Sequence, residues 1–96
     1  MHVISQKTLR EFWALHPAAR RPLQAWYKVA RRARWESLGD VRLLYPHADQ
    51  VGKFTVFNIG GNKFRLIAAI HYNRGKVYVR HVLTHADYST GAWKED

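Results

Sequence analysis

Apolar positions follow a helical period in the first half of this chain and an alternating period in the second, with the change near Lys53. Met1 to Ile4 is a short apolar run of strand character. Ser5, next in line, is placed to cap a helix by accepting a hydrogen bond from a free first-turn N–H. Leu9, Phe12, Trp13 and His16 then share one helical face, and His16-Pro17 closes the helix because a residue before proline disfavours helical backbone. A second helix is predicted from about Ala18 to Ala33, with Leu23, Trp26, Tyr27 and Ala30 as its buried stripe. Pro22 fits its first turn only if the helix starts near Arg21. The run SLGDVRLLYP from Ser37 predicts a short helix that packs Leu38, Val41 and Leu44 and stops before Pro46. Ala48 to Lys53 reads as a polar connection ending in a glycine turn.

Beyond Lys53 the period is two. Phe54 to Ile59, Lys63 to Tyr72 and Lys76 to Leu83 are rich in β-branched and aromatic residues and predict three strands. Gly60-Gly61-Asn62 and Asn73-Arg74-Gly75 supply the residues of tight hairpin turns. The expected architecture is α+β: a short N-terminal strand and a helical pair packed on a mostly antiparallel sheet, with a C-terminal three-stranded meander.

Parity assigns the faces. Phe64, Leu66, Ala68, Ile70 and Tyr72 point towards the core, and Arg65, Ile67, Ala69 and His71 point away. On the next strand Val77, Val79, His81 and Leu83 form one set, and Lys76, Tyr78, Arg80 and Val82 the other. The apolar sets coincide if the connecting loop has two or four residues, and not if it has three. Arg65, Arg80, His71 and Tyr78 then share the outer face, with residues 84–88 leaving the last strand beside Arg65. His81, on the core side, reads as a packed or edge histidine. A concave, cationic and partly aromatic face of this kind suits a single-stranded RNA backbone and its bases.

Ninety-six residues support one domain with one core, so residues 1–96 are expected to form a single unit. Sixteen Lys and Arg against seven Asp and Glu give a net charge of +9, a field that attracts nucleic acid or an acidic protein segment that mimics it. Part of that charge, Arg20, Arg21, Lys28, Arg31, Arg32 and Arg34, lies on the second helix, either as a solvated face or as phosphate contacts. The absence of cysteine excludes disulfides and thiolate metal sites. His2, His16 and His47 are scattered outside any ligand spacing, and no metal site or cofactor is expected. No apolar run approaches the roughly 20 residues of a membrane span, and the N-terminus lacks an export pattern, so a soluble cytoplasmic protein is expected.

The runs FNIGGNKFRLIAAI and VYVRHVLTHADY, and more loosely MHVISQKTLREFW, resemble the HigB family of toxins from bacterial type II toxin-antitoxin systems, a branch of the RelE-like ribonucleases. The resemblance covers most of the chain and implies a RelE-like fold and a metal-independent endoribonuclease that cleaves mRNA on the ribosome. It also implies a helix-turn-helix, HigA-like antitoxin as partner. Arg65 matches the family's basic residue on the central strand and Arg80 its partner on the neighbouring strand. His85 and Tyr88 match the polar residues of the C-terminal motif. Asn58, Asn62 and Lys63 lie in the matching turn, where they shape the loop or touch phosphate.

Metal-free cleavage needs a base for the 2′-hydroxyl, stabilisation of a charged phosphorane, and an acid for the departing 5′-oxygen. A histidine with an unperturbed pKa of about 6.5 suits either proton role. His85 is the leading acid–base candidate, Arg65 and Arg80 the phosphorane clamp, and Tyr88 a group that stacks on a base or orients the phosphate. His71 is either a second acid–base group or an edge or core histidine. The RNA-contacting set adds Lys63, Asn62, Tyr78, Arg31 and Arg32. Two other functions remain open for such a fold, a gyrase-poisoning toxin and a non-catalytic nucleic-acid-binding module.

Overall fold

The computed structural model describes residues 1–95. Five strands, β1 (His2–Ile4), β2 (Asp49–Val51), β3 (Phe54–Ile59), β4 (Phe64–His71) and β5 (Lys76–Thr84), form one sheet in the order β1-β5-β4-β3-β2. All pairs are antiparallel except β1 with β5, where His2 lies opposite Lys76 in a parallel ladder. Three helices, α1 (Gln6–Leu15), α2 (Arg20–Arg32) and α3 (Leu38–Leu44), precede the meander, and a short α4 (His85–Ser89) follows it. This is the expected α+β architecture. Among the described residues no helix is long and apolar enough to cross a membrane.

The helices differ from expectation at two boundaries and in the packing of α3. Ser5 does precede α1, but its backbone is left-handed, with φ of 79°, and its side chain makes no cap bond. Its carbonyl instead accepts from the Thr8 N–H at 3.0 Å. A 3₁₀ turn at Pro17–Ala19 leads into α2, so Pro22 is the third helical residue, where its missing N–H would have had no helical partner in any case. In α3 Ser37 is the cap, its Oγ accepting from the Asp40 N–H, while the Asp40 carboxylate accepts from the Glu36 N–H at 2.9 Å. Only Val41 of that helix is buried, however, and Leu44 is 55% exposed rather than packed.

Residues 49–51, expected as connection, form the edge strand β2. Their sequence, Asp-Gln-Val, carries no strand pattern, and pairing with β3 supplies the structure. Gln50 closes the hairpin: its amide donates to the Gly52 carbonyl at 2.8 Å and accepts from the Thr55 hydroxyl at 3.1 Å.

Both faces of the sheet are covered. On the helical side Leu23, Trp26 and Ala30 of α2 meet Phe57, Leu66, Ala68, Val77 and Val79. Phe57, fully buried, is the hub: Trp26 and Tyr45 approach it edge-on at 5.4 and 5.3 Å, and Trp35 stacks on it at 6.1 Å. Such offset and edge contacts suit the ring quadrupole. On the outer side Phe54, Val56 and Ile67 pack around Trp93, in a 3₁₀ turn at Ala92–Glu95.

His71 pairs with Lys76, leaving a four-residue loop, so the faces coincide as far as Val79. There the alternation breaks. Ala68 lies opposite Val79 but Ile67 lies opposite His81, and Arg80 is the extra residue of a β-bulge. One inserted residue shifts the phase. Val82, expected outside, is therefore buried against the helices, and His81 and Leu83, expected in the core, face outward with Ile67 and Arg65.

Candidate active site

Arg65 follows buried Phe64 on β4 and has Asn58 of β3 and Leu83 of β5 as cross-strand neighbours on the outer face. It is nevertheless only 8% exposed, because its guanidinium folds back over the β3–β4 turn. Nη1 donates to the carbonyls of Asn62 and Phe64, both at 3.2 Å, and Nη2 donates to Asn62 Oδ1 at 2.8 Å. The Tyr88 ring lies against it, with Cζ 5.3 Å from the centroid.

Burying a cation is costly unless its donors are satisfied. Among the described residues every partner is neutral: two carbonyls, an amide and a π face. The ion pairs among the described residues, Lys7 with Glu11 and Arg42 with Asp49, lie elsewhere. The Arg65 charge is fixed in position and, among the described residues, uncancelled by any carboxylate, as suits a phosphate site.

The segment after β5 reaches the same place. Thr84 caps α4, its Oγ1 accepting from the Asp87 N–H at 3.1 Å. The His85 N–H donates to the Lys63 carbonyl at 3.1 Å, which ties the start of α4 to the β3–β4 turn. The His85 side chain is exposed. Ser89 donates to the His85 carbonyl at 2.9 Å and its hydroxyl lies 3.4 Å from Nδ1. Tyr88 is committed within the protein, stacked on Trp93 at 5.3 Å and 15° as well as touching Arg65. It is not an open platform for a base.

The candidate residues thus separate into groups. Asn62, Lys63, Arg65, His85 and Tyr88 converge on the end of the sheet by the β3–β4 turn. Arg80 leaves the outer side of the bulge, exposed, roughly 8 Å along the strands from Arg65 at about 3.3 Å per residue. His71 and Tyr78 touch each other edge-on at 5.1 Å, but six residues of β4 put His71 roughly 20 Å from Arg65. That span exceeds one phosphate, so His71 and His85 do not share a proton-transfer centre. Arg31 and Arg32 are exposed near the end of α2, which packs on the opposite face of the sheet.

Three residues near the cluster lay outside the expected chemistry. Asn58 was legible only as part of the turn motif, yet it sits across from Arg65 and lines a cleft of about 540 Å³ with His47, Gly61 and Asn62. His47 had no neighbouring ligand in sequence and arrives there only through the path of α3 and β2. Trp93 follows the last strand with no periodic signal. A separate cavity of about 780 Å³ on the helical side includes Arg31 and Arg34 but none of Arg65, Arg80, His85 or Tyr88. Volume and chemistry therefore do not coincide, and the chemistry marks the candidate site. Among the described residues no three His, Cys, Asp or Glu side chains are grouped as metal ligands.

A mixed five-stranded sheet backed by helices is consistent with a RelE-like fold. Residues 19–91 match the HigB toxin family, described as a RelE-like toxic component of a toxin-antitoxin system. The chain belongs to that family. It is 30% identical over 91 residues to the mRNA interferase toxin HigB of Escherichia coli strain K12, an alignment covering 92% of this chain and 88% of that protein. The mRNA interferase HigB of Shigella flexneri is similar to the same extent, and that of Escherichia coli O6:H1 is 29% identical over the same coverage.

Proposed function

We propose that this chain is an mRNA interferase, a metal-independent endoribonuclease that cuts mRNA on the ribosome in the cytoplasm and is neutralised by a HigA-like helix-turn-helix antitoxin. We read residues 1–96 as one domain, a reading supported by the two apolar clusters that the described residues build on the two faces of the same sheet. The observation that carries the reading is Arg65, buried, oriented by Asn62 and Tyr88, unpaired with any described carboxylate, and next to the segment that presents His85.

In this mechanism the 2′-oxygen forms a bond to the adjacent phosphorus as its proton passes to a base, and the bond from phosphorus to the 5′-oxygen breaks as that oxygen takes a proton from an acid. The products are a 2′,3′-cyclic phosphate and a 5′-hydroxyl. His85 fills one of the two proton roles. Arg65 stabilises the phosphorane directly, and Arg80 neutralises the strand further along the face. Tyr88 acts on the phosphate through Arg65, and Lys63 supplies further positive charge beside the turn. His71 with Tyr78 and the arginine pair on α2 serve as outlying RNA contacts.

The test is single-turnover cleavage of ribosome-bound mRNA. His85→Ala and Arg65→Ala should each lose on the order of a hundredfold or more in rate while remaining folded. Full activity in either variant would overturn the assignment.

A further inference from the structure

Trp93 lies beyond residues 19–91, the stretch that matches the family, and takes no part in the chemistry outlined above. Its surroundings are nonetheless built with care for one conformation. The indole is 5% exposed, packs edge-on against Phe54 at 6.1 Å, and shares the outer-face cluster with Val56 and Ile67. Its Nε1 donates to the Tyr88 carbonyl at 3.0 Å, and its ring stacks on the Tyr88 ring at 5.3 Å. The same residue therefore grips both the backbone and the side chain of Tyr88.

This grip matters because α4 is short and, among the described residues, is otherwise tied down by the His85 N–H bond to the Lys63 carbonyl and the contact of Tyr88 with Arg65. Five residues are far too few for a helix to persist alone, and its own caps come from Thr84 and from the turn at Gly91. Gly91 adopts φ of 75° and donates to the Tyr88 carbonyl at 3.1 Å, reversing the chain so that Trp93 returns beneath Tyr88. Contacts then run in series from the sheet through Phe54, Trp93 and Tyr88 to Arg65, and from Arg65 to Asn62.

We propose that Trp93 is a positioning residue for RNA cleavage: as the apolar anchor of the segment after β5, it holds Tyr88 against Arg65 and fixes the backbone that carries His85. The inference rests on the assignment of Arg65 and His85 to the site. Trp93 touches neither substrate nor reacting atoms, so its loss changes the alignment of the site and leaves the cationic surface that captures RNA intact. A maximal rate that falls with little change in half-saturating concentration is the signature of such a role.

The experiment uses the full chain with Trp93→Ala, Trp93→Leu and Trp93→Phe, alongside Arg65→Ala and His85→Ala. Single-turnover cleavage of ribosome-bound mRNA is measured over a range of toxin concentrations and scaled to folded protein, and hydrogen exchange is followed for residues 85–91. Trp93→Ala should accelerate exchange in that segment and lower the maximal rate by about a hundredfold, the usual effect of misplacing a reacting group by about an ångström. Trp93→Leu keeps an apolar anchor but loses the stack and the hydrogen bond, so it should stay folded and still cleave slowly. Trp93→Phe keeps a stacked ring and should recover most of the rate.

Wild-type maximal rates in folded Trp93→Ala or Trp93→Leu, with Arg65→Ala and His85→Ala inactive, would overturn the role of Trp93 alone. Full activity in Arg65→Ala and His85→Ala would overturn the underlying site, and the positioning role with it.

Discussion

Asn62 allows the stability and the activity of this protein to be driven in opposite directions. Its side-chain oxygen accepts from Arg65 Nη2 at 2.8 Å, and its backbone carbonyl accepts from Nη1. In Asn62→Ala only the first bond is lost, leaving a donor of a largely buried guanidinium unsatisfied, at a cost of about 1.5–3 kcal/mol for a hydrogen bond to a charged group. In Asn62→Asp the bond remains and gains a formal charge. Because residue 62 is exposed, solvent screens the new pair, and the gain in stability is small, about 0–1 kcal/mol.

The effect of Asn62→Asp on cleavage is large and unfavourable. If Arg65 bridges the new carboxylate, 2.8 Å from Nη2, to a phosphate at a similar distance, the two anions lie about 6 Å apart and, at an effective dielectric constant of about 20, repel by about 2.8 kcal/mol, or roughly a hundredfold in rate. Urea unfolding and single-turnover cleavage of ribosome-bound mRNA, run on the same preparations, read the two quantities. Asn62→Asp should unfold at or slightly above the wild-type midpoint and cleave roughly a hundredfold more slowly. Wild-type cleavage by Asn62→Asp would refute the claim that an uncancelled Arg65 charge is what the site uses. A marked loss of stability in the same variant would refute the hydrogen-bonding account of how Arg65 is held.

Two further outcomes are expected. Gly91→Ala places a Cβ in open space but forces an alanine to φ of 75°, so the cost is purely backbone strain of about 1 kcal/mol, visible as a fall in Tm of about 4–8 °C. Burial pushes the Tyr45 phenol above its ordinary value of about 10. A raised pKa in the folded state contributes stability that is complete below the unfolded value and lost as pH rises through the folded one. Tyr45→Phe should therefore gain on the wild type only above about pH 10 in alkaline unfolding, and a gain that begins near neutral pH would contradict this cause.

The strands of the meander were legible because β4 alternates cleanly, Phe64, Leu66, Ala68 and Ile70 against Arg65, Ile67, Ala69 and His71. β5 was legible only as far as Val79. The adjacent polar pair Arg80-His81 between two valines was the mark of a broken alternation, and a strict period of two carried His81 and Val82 to the wrong faces. β2 had no such mark, since Asp49 and Gln50 owe their strand conformation to β3 and to bonds with Gly52 and Thr55.

The site divided in the same way. Motif similarity pointed to Arg65, His85 and Tyr88 separately, but the contact of Arg65 with Tyr88 joins residues far apart in sequence. The outer face was expected as an open RNA surface. Phe54, Val56, Ile67 and Trp93 fill its centre instead, and the polar groups are left at its rim. A lone tryptophan in a polar tail carries no periodicity from which this could be inferred.

The parallel pairing of His2 with Lys76 has a consequence for synthesis. A translating ribosome makes β1 first, yet β1 has no neighbour in the sheet until β5 has emerged, and the groups after β5 complete the cluster later still. Contacts between such distant segments form slowly, because closing the loop costs entropy before any pairing offsets it. A nascent chain therefore lacks the cluster around Arg65 until β5 and the segment after it have emerged. The interval gives a partner already present in the cell time to meet the chain before the cluster around Arg65 is assembled.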